Sequence, residues 1–450
     1  MSMAYIIALN PNILTTYGLG GQPLWNGVFL ATCISSTVAM LIMSLLANKP
    51  FCLAPGMGLN SFMAIVVLDL IEVSNMNYAE CFQSILCIIF IEGIIFLILS
   101  IFKNARGRIV EAIPLGIRLG ITPGIGLMLL NIGFGSNVYI ANKDFNQFFV
   151  MKDFFGSLTA NHARDIMSDA YSTMVVSVIT MFLGLFAIVI LAYKKIKGSV
   201  IIGMFIASIF YWACDGIFLD HNPFSPLSDS SFLPAFGDMW DTTFFRFNFK
   251  GLGDLGWFTA IVLIITFCII DMFDTIGTFV GTASRAGMID DEGNITNMKE
   301  AFIADSVGTI VGSCTGTSTV TTFIESASGI EAGGRTGLTA LTCGICFLLC
   351  IFLSPIAAII PAAATSSALI YVGILMMSGL SKVDFDDFSV SVPVTIMLIA
   401  MPISGSIGHG IGLAIITSTI ISIFTGKFKE ISILTYIISI IFIVKFFLVY

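Results

Sequence analysis

The sequence predicts an all-α polytopic membrane protein, a 7+7 inverted-repeat transporter in which two broken segments carry short extended stretches. Three observations lead there. Hydrophobic residues make up 57% of the 450-residue chain and charged ones 11%, against roughly 25% charged in soluble domains. Apolar runs of spanning length, about 20 residues, recur from end to end. Finally, the stretches 53–62 (L-A-P-G-M-G-L-N-S-F) and 313–325 (S-C-T-G-T-S-T-V-T-T-F-I-E) put Pro, Gly and hydroxyl side chains where further spans are required. Irregular backbone at membrane depth survives only where protein buries it or it lines a cavity, so both stretches read as walls of a binding site.

Taken in order, a short, interrupted first segment covers 1–16 and meets Asn10-Pro11. Spans follow at 26–47, 53–71 (interrupted), 78–102, 113–134, 172–193 and 198–218. The second half supplies 256–281, 298–312, the polar stretch 313–325, then 336–360, 362–380, 388–404, 406–425 and 431–449. Basic clusters at 103–108, 194–197 and 427–429 belong inside by the positive-inside rule. Loops 136–171 and 219–255 then face out and 283–297 faces in, which makes the Asn294-Ile-Thr296 sequon a chance match. The two halves also repeat. Ile113-Pro114 runs in step with Ile360-Pro361, Gly126 matches Gly373, and the third segment of each half is broken. An odd seven segments per half inverts the second half relative to the first.

Composition excludes several functions. The net charge of −8 sits mainly in loops such as 215–241 and 290–300 and offers no basic surface to nucleic acid. Ten cysteines lie almost wholly in apolar segments. Cys343, Cys346 and Cys350 share a helical face, but with no histidine nearby they read as small packing residues rather than a metal site. His162, His221 and His409 are dispersed, and no Ser-His-Asp, HExxH or phosphate-loop pattern supports an enzyme. The N-terminus lacks the basic region and cleavage site of a signal peptide.

Three segments hold polar groups that lipid rejects. In Ala54–Asn60, Pro55 removes a donor while Gly56 and Gly58 free the backbone. A helix starting there aims its amides and positive end into the cavity, and Asn60 adds an amide. In Asp271-Met-Phe-Asp274-Thr275-Ile-Gly-Thr278, two carboxylates three residues apart share a face. Each costs about 2.5–3.5 kcal/mol at a helix centre. Desolvation favours the neutral form of a carboxyl, which suits one of these acids to a transported proton. Asp271 reads equally as a group that bonds a neighbouring broken helix; Asp274, leading a T-I-G-T break, reads as functional. In the third segment the hydroxyl run satisfies a half-helix starting near Ser318, which places Glu325 one to two turns inside it. Glu92 is expected to hydrogen-bond between helices, and Asp305 to orient the broken segments.

Four motifs then carry a resemblance. A-P-G-M-G-L-N-S-F at 54–62, D-M-F-D-T-I-G-T at 271–278, G-T-S-T-V-T-T-F-I-E-S at 316–326 and G-G-R-T-G-L at 333–338 resemble the AzgA-like purine permeases of the nucleobase–cation symporter-2 family, across essentially the whole chain. The resemblance implies fourteen segments divided into core (1–102 and 256–360) and gate (103–255 and 361–450). It implies proton-coupled uptake of adenine, guanine or hypoxanthine across the plasma membrane, with the proton as coupling ion and no cofactor, and a homodimer. Carried onto this chain, it places Asp274, Glu325 and Asn60 at the purine site. Gly58, Phe273, Phe323, Thr275 and Thr322 complete the candidate substrate set, with Phe279 a further stacking ring and Asp271 or Asp274 as proton carrier. The competing expectation is an anion carrier, of sulfate type, on the same plan; two acids at the site would repel its cargo. Relatives carry further residues before the segment that begins here at Met3, so a truncated or misassigned start is expected. The run 431–449, interrupted by Lys445, exceeds fourteen segments and reads as an interfacial helix.

Overall fold

The computed structural model describes residues 3–74, 76–102, 114–135, 171–218, 224, 232–286, 297–323, 325–404, 407–427 and 431–448. The basic cluster 103–108, most of the two outward loops, His162, His221 and the sequon at Asn294 lie outside the described residues.

With no water to receive them, the backbone groups of each apolar run close on themselves as helix. In order these are α1 (Ile6–Leu14), α2 (Gly21–Ile42), then strand β1 (Leu53–Pro55), α3 (Met57–Val73), α4 (Tyr78–Ile101), α5 (Leu115–Phe134), α6 (Tyr171–Tyr193) and α7 (Ser199–Phe218). The second half contains α8 (Phe236–Thr242), α9 (Phe249–Leu255), α10 (Trp257–Ala286), α11 (Met298–Thr315), strand β2 (Val320–Thr322) and α12 (Ser326–Glu331). It continues with α13 (Gly337–Cys350), α14 (Ser354–Ala358), α15 (Ala362–Met376), α16 (Phe388–Ser404), α17 (Ile407–Phe424) and α18 (Ile433–Leu448). Among the described residues eight helices are long and apolar enough to cross a membrane, and α9 with α10, bent by 107°, would make a ninth span.

The inverted repeat is visible where its equivalents touch. β1 pairs antiparallel with β2, Leu53 opposite Thr322 and Pro55 opposite Val320. Flanking bonds run from Gly56 N to Thr319 O and from Phe323 N to Cys52 O, both 3.0 Å. Antiparallel ladders alternate bonded and non-bonded pairs, so Pro55 falls at a non-bonded position, where its missing N–H leaves no gap. Far along the chain, Gly126 of α5 and Gly373 of α15 face each other. A Cβ on either would stand 2.8 Å from the other's carbonyl oxygen. Two residues matched by repeat position therefore form one helix crossing, and only glycine lets those backbones approach so closely.

Packing falls into two sets. α1, α2, α10 and α11 contact the strands, with α4 packed on α10 and α11 and α13 on α2, while α5, α6, α7, α15, α16 and α17 pack on one another. α8 lies on α2, its C-cap Thr243 filling the space beside Gly316, where φ is +114°. The fourth motif closes segment 10 onto segment 11: Arg335 donates to the Ile330 carbonyl, and Asn48 Oδ1 accepts from Gly337 N at 2.9 Å.

Three expectations need correction. α10 is unbroken through T-I-G-T, and Thr278 Oγ1 donates back to the carbonyls of Asp274 and Thr275, as a threonine can within a helix. The half-helix of segment 10 starts at Ser326, not near Ser318, since the β-branched Val320-Thr321-Thr322 run is taken up by the ladder; Glu325 therefore precedes that helix. The hydroxyls of 317–321 satisfy other elements instead of a helix end: Thr317 accepts from Asn10, Ser318 donates to Asn60, and Thr321 bonds Thr275. The C-terminal α18 packs on α17 and α10, with Phe442 against Gly412 and Ser439 bonded to Thr419 at 2.7 Å.

Candidate functional site

A cavity opens at the ends of the two strands, between the two packing sets. One wall is the β1–α3 turn, Gly56, Met57 and Gly58. The amides of the first helical turn precede the helix's own hydrogen bonds and give this wall its partial positive charge. A second wall is Thr321, Thr322, Phe323 and Glu325, and α10 adds Asp274 and Thr278. The opposite face is apolar apart from one hydroxyl: Thr122 of α5 with Val372 and Met376 of α15. Tyr5, just before α1, closes the site by donating its hydroxyl to Glu325 Oε1 at 2.6 Å.

Of the sequence candidates, Asp274, Glu325, Gly58, Phe323 and Thr322 line this cavity. Asp274 is only 7% exposed. Asn60 does not line it. It lies one turn into α3, fully buried, accepting from Ser318 Oγ and donating to the Pro55 carbonyl at 3.4 Å, and so ties α3 to the stretch before β2. Thr275 points away from the cavity, donating to Asp305 and bonding Thr321 Oγ1 at 2.9 Å. The side chain of Phe273 lies outside the described residues. Phe279 is held in an aromatic cluster, its ring 5.1 Å from Phe51 and 5.5 Å from Phe302, and is not a stacking platform. Asp271 sits one turn from Asp274, wholly buried, accepting from Thr309 Oγ1 at 3.3 Å. Glu92 makes no helix-to-helix bond of the expected kind: neither of its oxygens has a hydrogen-bond partner.

Sequence reasoning missed Tyr5, Thr122, Val372 and Met376. A tyrosine in a short apolar segment looks like ordinary core, and its hydroxyl gains meaning only when Glu325 arrives from 320 residues away. Among the described residues no group of His, Cys, Asp or Glu is placed to hold a metal.

Two carboxylates, several hydroxyls and an amide end on one side, with apolar side chains on the other, can take a flat, neutral ligand rich in N–H donors. Charged acceptors paired with ligand donors are the stronger hydrogen bonds, and leaving them unpaired rejects analogues that lack the donor.

The chain matches the permease family of xanthine/uracil type over residues 155–412. It is 34% identical to the adenine permease AdeP of Escherichia coli over 446 residues, covering 99% of this chain and 90% of that one. Identity to the guanine/hypoxanthine permease PbuO of Bacillus subtilis is 33%, covering 99% and 94%. Among solved structures it is similar to the transmembrane domain of the cyanobacterium bicarbonate transporter BicA, with a TM-score of 0.59 at 16% identity, covering 92% and 94%. It is similar also to SLC26A9, with a TM-score of 0.58 at 10% identity, covering 94% and 65%. These structures share the inverted-repeat fold.

Proposed function

Because the chain belongs to the xanthine/uracil permease family, the nucleobase–cation symporter-2 carriers, we propose that it takes up purine nucleobases (adenine, guanine or hypoxanthine) across the plasma membrane by proton-coupled alternating access. The observation that carries this reading is the placement of Asp274 and Glu325, from two different segments, in one cavity between the packing sets. Ring and exocyclic N–H groups of a purine donate to these acids, and Phe323 with Val372 and Met376 covers its faces. Segments 1–4 and 8–11 act as the core that carries the purine, segments 5–7 and 12–14 as the gate. Rigid-body movement of one set against the other opens the cavity to each side in turn. An acid at the site, Asp274 or its neighbour Asp271, exchanges the coupled proton. The anion-carrier alternative finds no favour in a cavity lined by two carboxylates, since like charge and desolvation both oppose an anion there.

The test is uptake of radiolabelled adenine, guanine and hypoxanthine by cells that lack their own purine carriers. Expression of this chain is expected to confer uptake, and Glu325→Gln and Asp274→Asn to abolish it while the proteins still reach the membrane. Parental rate and pH dependence in both variants would defeat the assignment.

A further inference from the structure

Beside the cavity, three carboxyl groups from three helices are buried together: Glu92 of α4, Asp271 of α10 and Asp305 of α11, each 0% exposed. Gly93, next to Glu92, lies against Thr309 and Ile310 of α11, and Thr309 bonds Asp271. The charges that act on the three are one another and Asp274. Both Glu92 oxygens, Asp271 Oδ1 and Asp305 Oδ1 have no hydrogen-bond partner. Three unpaired carboxylates of one sign in a membrane interior are far too costly to persist as such. Their oxygens do not converge as a metal site. A bound proton lowers that charge, and protonation turns a carboxyl from acceptor into donor.

Thr309 connects this pocket to the cavity. Its oxygen accepts from Val320 N at 3.1 Å, and its hydrogen is within reach of both Asp271 Oδ2, 3.3 Å, and the Val320 carbonyl, 3.2 Å. One hydroxyl has one hydrogen, so Thr309 serves either the acid or the strand. The second link is Thr275, which donates to Asp305 and meets Thr321, a cavity residue.

We propose that the Glu92–Asp271–Asp305 pocket holds the coupled proton and that Thr309 reports it to β2. With Asp271 protonated, its O–H donates to Thr309, the Thr309 hydrogen goes to Val320 O, and the outer edge of β2 is fully bonded. With Asp271 ionised, Thr309 turns to the carboxylate and the Val320 carbonyl loses its donor. The other titratable group facing Glu92 is the Cys268 thiol of α10. α3 and α9 also pack on α4, but meet it at its first turns, around Cys81 and Glu80.

This inference rests on the reading of the chain as a proton-coupled purine carrier, and two readouts keep the two apart. In proteoliposomes, purine counterflow at equal pH needs no net proton movement, whereas one coupled proton sustains about tenfold accumulation across a gradient of about one pH unit. Glu92→Gln is expected to keep counterflow while accumulation falls to about onefold. Thr309→Val behaves likewise and Thr309→Ser stays parental. Parental accumulation in Glu92→Gln, or loss of counterflow together with accumulation in both Glu92→Gln and Thr309→Val, overturns the proposal. The infrared band of protonated carboxyl groups, recorded on purified protein without substrate, is expected to weaken in Glu92→Gln. An unchanged band overturns the proton site whatever the cargo. A parental protein that shows the band but carries no purine refutes the substrate reading instead.

Discussion

Segments 3 and 10 enter the middle of the protein in the same way and leave it differently. Each arrives as a three-residue strand, and the two strands pair. After β1 the chain runs for 17 residues as α3, with Asn60 one turn in and engaged with Ser318. After β2, Glu325 comes before a helix of only six residues and engages Tyr5. The repeat therefore supplies a symmetric backbone frame, and the side chains divide the work. The amide half holds the frame together, and the acid half lines the cavity.

The largest expected effect tests the frame. Thr321 faces Ala54 in a bonded pair, while Pro55 and Val320 form a non-bonded one. Thr321→Pro should prevent recovery of folded protein by size-exclusion chromatography in detergent, whereas Pro55→Ala should leave it parental. Equal behaviour of the two variants would show that the ladder does not organise the site. A smaller effect is expected at the other symmetric contact. Gly126→Ala and Gly373→Ala each push a methyl against a backbone carbonyl, at a cost of about 1–3 kcal/mol. The thermal midpoints of the two variants should fall together, and the double variant by less than the sum, because the first methyl already forces the one crossing apart.

How much of this was legible in the sequence depends on range. Helix runs and broken segments show locally, through hydropathy and through Pro, Gly and Thr placed where a span was needed. The acids Asp274 and Glu325 stood out because charge inside an apolar run has few explanations. Three kinds of feature were hidden. The T-I-G-T stretch looked like a break, since threonine is a poor helix former, but the Thr278 back-bond is invisible without the helix around it. The strand register was out of reach because it joins residues 53–55 to 320–322, and it displaced the start of the following helix past Glu325. Tyr5 and Glu92 drew no functional reading for a related reason. Each becomes informative only through partners, present or missing, on other segments: Glu325 for the tyrosine, Asp271 and Asp305 for the glutamate.

The finest test of the division of labour compares Asn60→Ala with Tyr5→Phe. Removing Asn60 leaves the fully buried Ser318 hydroxyl without its acceptor, which costs about 1–3 kcal/mol. The thermal midpoint should fall while KM for purine stays unchanged. Removing the Tyr5 hydroxyl takes one hydrogen bond from Glu325, which lines the cavity. That hydrogen bond contributes about 0.5–1.5 kcal/mol, so KM should rise roughly three- to tenfold with little change in melting. The two variants should thus separate on a plot of stability against affinity. If Asn60→Ala raised KM and left the melt unmoved, the amide would belong to the ligand after all, and the two halves of the repeat would share one task.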